Sequence, residues 1–169
     1  KQNKEWWYRT SSKDTFIENG VHFTIHSYYK YLKKFTLENT GNKEELILKM
    51  KNIMFKMVNL AERIIHLYNE YKNDEITELD LVEYMEDIIP EIDKLYLEST
   101  DLEIAPIEIK EWAQACSELF CTIHDFIYYY NKNYLDLRTA ENRKNCMEMT
   151  IKQYYKDLDK VKSMEKSIK

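Results

Sequence analysis

Residues 43–71 read KEELILKMKNIMFKMVNLAERIIHLYNEY. Leu46, Met50, Ile53, Met57, Leu60, Ile64 and Tyr68 recur there at spacings of three and four, the period of one face of an α-helix. Asn42 before the stretch and Glu45 within it form a capping-box-like start. The opposite face carries Lys49, Asn52, Lys56, Asn59, Arg63 and His66. An apolar stripe of this length must be buried against other elements.

Upstream and downstream of this helix lies a repeated segment. Residues 23–34 read FTIHSYYKYLKK and residues 121–132 read CTIHDFIYYYNK, with Thr-Ile-His at a constant offset of 98. Lys4-Glu5-Trp6 and Lys110-Glu111-Trp112 precede the two copies, and Thr40 with Met50 and Thr139 with Met149 follow them. The spacing predicts a helix over about 21–37, a turn at 38–42 and the long helix over 43–71. In the second half it predicts a helix over about 107–134, a turn at 135–138 and a helix from the Thr139 cap to about 166. Between the halves, Thr77 caps a helix through Ile89 that Pro90 ends or kinks, and 99–105 form a loop. Residues 1–20 read as a short helix or an ordered arm, with Gly20 as a break.

The expected fold is therefore all-α: two pseudo-repeats of a helix-turn-long helix unit, packed as one helical domain over 1–169. Half one covers about 1–72, an acidic connector about 73–106, and half two about 107–169. Two glycines and two prolines in the chain are too few to punctuate a many-stranded sheet. Cys116, Cys121 and Cys146 show neither an even count nor a CxxC pair, which argues against a disulfide framework or a structural zinc site. They read as buried thiols on apolar helix faces. With no signal-peptide core and no apolar run near 18 residues, the expected setting is intracellular, cytoplasmic with the nucleus as a second compartment, and not a membrane.

The net charge of −5 hides an asymmetry. Residues 1–72 carry +5, residues 73–119 carry −13 and residues 120–169 carry +3. Two basic blocks flank an acidic middle, so the mean charge does not exclude a polyanionic partner.

No glycine-rich phosphate loop, nucleophile elbow or metal-ligand pattern is present, and the chain reads as not an enzyme, with no cofactor and no small-molecule substrate evident. His22 with His26 and Glu62 with His66 stand four residues apart, which makes a helical metal site the third reading. The matched positions of His26 and His124 favour a packing role instead. Single-sign ridges carry the functional clue, because a solvated face usually mixes signs to gain i, i+4 pairs. Lys49, Lys56 and Arg63 on one long helix, and Lys152, Lys156 and Lys160 on the other, are the candidate phosphate contacts. The outward face of the last helix also includes Arg143, Lys144 and Lys162. Tyr31 and Tyr128, set among lysines, are candidate base-stacking residues, with a core role as the competing reading.

Thr24-Ile25-His26 and Thr122-Ile123-His124, with the helix pairs after them, resemble the early-gametocyte RNA-binding phosphoprotein family of Plasmodium. The resemblance implies an all-helical protein of two pseudo-dyad repeats that forms homodimers and binds RNA. That family is also associated with Pro-x-x-Pro segments that dock SH3-like modules, whereas the prolines here, Pro90 and Pro106, stand far apart. The leading expectation is a non-enzymatic RNA-binding protein acting through its basic helix ridges as a homodimer. The alternative is a protein-interaction scaffold that dimerises through its long helices, its ridges serving acidic segments.

Overall fold

The computed structural model describes the backbone of residues 4–10, 13–18, 21–24, 43–100 and 105–168, and the side chains of 43–100 and 105–168. Its helices are α1 (Lys43–Lys72), α2 (Glu78–Thr100), α3 (Lys110–Tyr129) and α4 (Ala140–Glu165). Among them α3 packs directly against each of the other three. Its sequence explains this, since Trp112, Cys116, Leu119, Phe120, Ile123 and Ile127 are all buried and spread over more than one stripe.

Bonds between helices set their directions. Lys51 pairs with Glu165 at 3.4 Å and Lys72 with Glu148 at 2.7 Å, so α1 and α4 run antiparallel. Asp93 with His124 and Glu86 with Lys132 do the same for α2 and α3. Thr122 with Asp157 and Tyr129 with Thr150 do so for α3 and α4. The result is an up-down-up-down four-helix bundle, the all-α class expected. Because α1 and α3 pack directly across the middle, α2 and α4 occupy the far corners.

Local chemistry accounts for the helix ends. Thr77 Oγ1 accepts from the Asp80 N–H at 3.1 Å, and Asp80 Oδ2 accepts from the Thr77 N–H at 2.8 Å, a reciprocal cap. The Thr139 side chain accepts from the Asn142 N–H at 3.2 Å. After α1, Asp74 takes φ of 60°, a left-handed position its short polar side chain tolerates better than most. Asn131 Oδ1 accepts from the Asn133 N–H at 2.9 Å, an Asx turn that stops α3 at Tyr129 rather than at 134. At the other end, a 3-10 turn at Ile107–Ile109 precedes α3.

Several sequence expectations are corrected. Pro90 does not end its helix, and α2 runs through it to Thr100. Pro90 is exposed, while Ile88, Ile92 and Leu95 stay buried on the other side. Arg143, expected outward, is buried, whereas Tyr155 beside the buried Tyr154 is 43% exposed. Cys121 is exposed rather than buried.

Residues Lys4–Thr10, Lys13–Glu18 and Val21–Thr24 form strands β1, β2 and β3 of an antiparallel sheet in that order. Thr10 pairs with Lys13 and Glu18 with Val21. The ordered arm is thus extended backbone, and Asn19-Gly20, read above only as a break, is the dipeptide that favours a two-residue hairpin. The helix expected over 21–37 begins instead as strand at Val21–Thr24, and its remainder lies outside the described residues. So does the first Thr-Ile-His copy beyond Thr24. The second copy sits in α3, where Thr122 reaches α4, Ile123 is fully buried and His124 reaches α2.

Candidate nucleic-acid interface

All six ridge cations are exposed, yet they are not equivalent. Lys49 pairs with Glu45 at 2.8 Å, and Lys160 pairs with Glu118 of α3 at 2.9 Å. Lys49 holds the Glu45 carboxyl below its ordinary value through that bond and its charge. Lys56, Arg63, Lys152 and Lys156 have no ion pair among the described residues. Exposed pairs contribute little to stability, but they do neutralise charge that a phosphate would need.

The two ridges do not merge. Glu62 faces α4, where it accepts from the Tyr154 hydroxyl at 2.9 Å. Arg63 therefore lies a further 100° round α1, off the α1–α4 seam, with Lys56 and Lys49 below it. On α4, Lys160 leans to α3, the side away from α1. Each ridge borders a different groove.

The groove between α3 and α4 opens into a cleft of about 580 Å³, lined by Lys110, Gln114, Ser117, Thr122, Gln153 and Asp157 among others. Its side chains are hydroxyl, amide and charged groups with the Cys121 thiol, no aromatic ring is among them, and the carbon of those side chains makes up most of the exposed wall. Asp157, 7% exposed, forms its inner wall. Its Oδ2 lies 2.5 Å from the Thr122 hydroxyl, and its Oδ1 accepts from Gln153 Nε2 at 2.7 Å. Gln153 and Asp157, four residues apart on α4, are a pair that spacing allows, but nothing in the sequence brings Thr122 of α3 to them.

Tyr128, a stacking candidate, is half-buried. Its ring meets His124 edge-on at 5.5 Å and Tyr134, tilted by 47°, at 5.7 Å, contacts of the core role that competes with stacking. Tyr31 lies outside the described residues. His124 stacks on Tyr96 with centroids 4.1 Å apart and bonds Asp93 at 2.9 Å, the packing role its repeat position suggested.

Arg143 forms a different centre, at one end of the bundle. Its guanidinium donates to the Leu135 carbonyl at 2.8 Å, to the Arg138 carbonyl and to Glu78 of α2. Tyr71 donates to Glu78 at 3.0 Å and packs against Tyr68 and Tyr130. Burial first, and then the bond to Glu78, push the Tyr71 phenol up to about 12. This cluster ties α1, α2, the turn before α4, and α4 itself. It is a structural joint, not a basic surface.

Burial pushes the Cys116 thiol up to about 12, so it stays protonated and a poor nucleophile. Among the described residues no three of His, Cys, Asp or Glu converge to hold a metal ion. Of the third-reading histidines, His66 is exposed and lies 3.4 Å from Glu70, His22 belongs to β3 and His26 lies outside the described residues. No described helix is long and apolar enough to cross a membrane. Comparison with protein-family models, curated proteins and solved structures finds no match to this chain.

Proposed function

We propose that this chain is a non-enzymatic binding protein for single-stranded RNA, with its phosphate contacts on α4. The observation that carries the reading is that Lys152 and Lys156 are exposed, beside the open cleft that Gln153 and Asp157 line. Neither has an ion pair within 4 Å among the described residues, although Lys152 lies near enough to Glu148 to add to Lys72 in lowering its carboxyl. Lysines one turn apart track a phosphate backbone, and the hydroxyl and amide groups in the groove next to them suit sugars and base edges. Lys160 is a third contact, competing with its bond to Glu118. On α1, Lys56 and Arg63 form a separate and weaker surface, because they border the groove beside the acidic α2.

Three phosphate contacts give a log–log salt dependence with a slope of about −2 for single strands. Fluorescence anisotropy of a labelled oligoribonucleotide at about 50 and 200 mM salt measures it. The double variant Lys152→Gln/Lys156→Gln is expected to flatten the slope by about 1.4. Absence of binding at the lower salt, or an unchanged slope in the variant, rejects the reading.

One observation favours a second reading, the scaffold. Leu48 and Phe55 are 69% and 66% exposed on α1, and seven residues apart they share one line along the helix. Such a line suits a partner helix, including that of a second copy. Light scattering tests it: a two-chain mass that Phe55→Ala returns to one chain supports the scaffold, and a one-chain mass in the parent protein removes it.

A further inference from the structure

We infer that the groove between α2 and α3 is a docking surface for a basic amphipathic helix of a partner protein, whose cations meet Glu86, Asp93 and the ring of Tyr134. The inference does not depend on the RNA reading, which places its contacts on α4.

The surface is built along one line of α2. Leu79, Glu86 and Asp93 follow one another at intervals of seven, with Leu97 one turn beyond. Glu86 reaches Lys132 at 3.4 Å, and Asp93 reaches His124 of α3 at 2.9 Å, so this line faces the groove. A row of rings runs beside it. His124 stacks on Tyr96 at 4.1 Å and meets Tyr128 at 5.5 Å, and Tyr128 meets Tyr134 at 5.7 Å. Burial first, and then Asp93, Tyr134 and Asp125, push the Tyr128 phenol up, which places carboxylates close to the rings. Leu79 and Leu97 are each 66% exposed, and Tyr134 is 40% exposed. Leucines and rings gathered on one groove, rather than scattered singly, are the form an interaction surface takes.

Charge decides what the partner is. Along α2 eight carboxylates stand against one cation, Lys94, so its field attracts a basic segment and repels nucleic acid. The carboxylates are strung along the helix, and among the described residues they form no cluster that could hold a metal ion. Cations spaced along a peptide fit that spread, and a cation over a tyrosine ring gains further attraction. Glu86 is not locked to Lys132, because both are exposed and such pairs contribute little. A partner's cation can take the place of Lys132. Leu79 and Leu97 stand about 27 Å apart along α2. A helix of similar length, apolar near both ends and basic between them, matches the groove.

The test is fluorescence anisotropy of a labelled helical peptide of that length, with leucine near each end and arginine between, titrated with the RNA-free protein. Binding is expected, weaker at higher salt. Glu86→Gln/Asp93→Asn should weaken it roughly tenfold, the loss of two exposed charge pairs. Tyr134→Ala should weaken it roughly threefold, the scale of an exposed cation–π contact. Glu91→Gln/Glu98→Gln removes the same charge from the side of α2 turned away from α3 and should leave binding nearly unchanged. No binding, equal losses in the two double variants, or an unaltered affinity in Tyr134→Ala overturns the inference. Glu86 and Tyr134 are exposed, so Glu86→Gln and Tyr134→Ala still decide the matter if Asp93→Asn disturbs the packing of α2 on α3. If a citrulline version of the peptide binds as tightly as the arginine version, the groove takes an apolar segment and the basic partner is refuted. A two-chain mass in light scattering that Tyr134→Ala returns to one chain assigns the groove to a second copy and refutes it equally.

Discussion

Replacing Arg143 by alanine is expected to cost about 3–5 kcal/mol of folding stability, the range for removing one partner of a buried ion pair. The cost does not come from the pair as such. Glu78, half-buried at the start of α2, is left facing Tyr71 and Tyr130 without its cation, and the Leu135 and Arg138 carbonyls lose their donor. A native domain holds only about 5–15 kcal/mol in total, so the variant should unfold at much lower urea. Lysine at 143 is expected to recover only part of the loss, because a single ammonium cannot reproduce the planar fork that serves three acceptors. Replacing Glu78 as well separates pairing from packing. If Arg143→Ala/Glu78→Gln recovers most of the stability lost in Arg143→Ala, the unpaired carboxylate is the main penalty. A loss below about 1 kcal/mol for Arg143→Ala would place it among ordinary surface changes and refute its role as a joint.

Phe126→Ala should be comparably severe, about 3–5 kcal/mol, for a purely apolar reason. Phe126 is fully buried on α3 and meets Tyr154 of α4 edge-on, with ring centroids 5.9 Å apart. Truncation forfeits the transfer energy of the ring and leaves a cavity that rigid helices fill incompletely. Phe126→Leu keeps most of the volume and should lose less than about 1.5 kcal/mol. Urea midpoints of the two variants check this, and similar losses for both would mean that the site is not packed as described. Unlike Arg143→Ala, this change touches no charge, so its cost should not depend on Glu78.

Arg143 also shows how the sequence misleads. It stands four residues before Met147, seven before Thr150 and eleven before Tyr154, all three buried, so the helical period already placed it on the inward stripe. Residue type argued the other way, since arginine is almost never buried unless paired. Its partners, Glu78 and two carbonyls in the turn, are 65, 8 and 5 residues distant, and only folding brings them together. The exposure of Tyr155 inverts the case, an apolar ring on a polar line whose hydroxyl reaches Glu62 at 3.3 Å. Pro90 belongs here too. The proline rule describes an isolated helix, whereas α2 is held on both sides of Pro90 by buried isoleucines.

What the sequence determined by itself was the class of fold and most of its boundaries. The three-and-four spacing from Leu46 to Tyr68, the scarcity of glycine and proline, and the Thr77 and Thr139 caps are local signals, and helices obey local rules. The ridges were equally legible, because neighbours on a helix surface follow from spacing alone. Only the tertiary structure decided which ridge stands clear. Charge neutralisation acts across helices, and Glu118 reaches Lys160 over 42 residues of chain. The same is true of the cleft: its buried carboxylate is on α4 with Gln153 one turn before it, but the hydroxyl that supports the carboxylate is on α3.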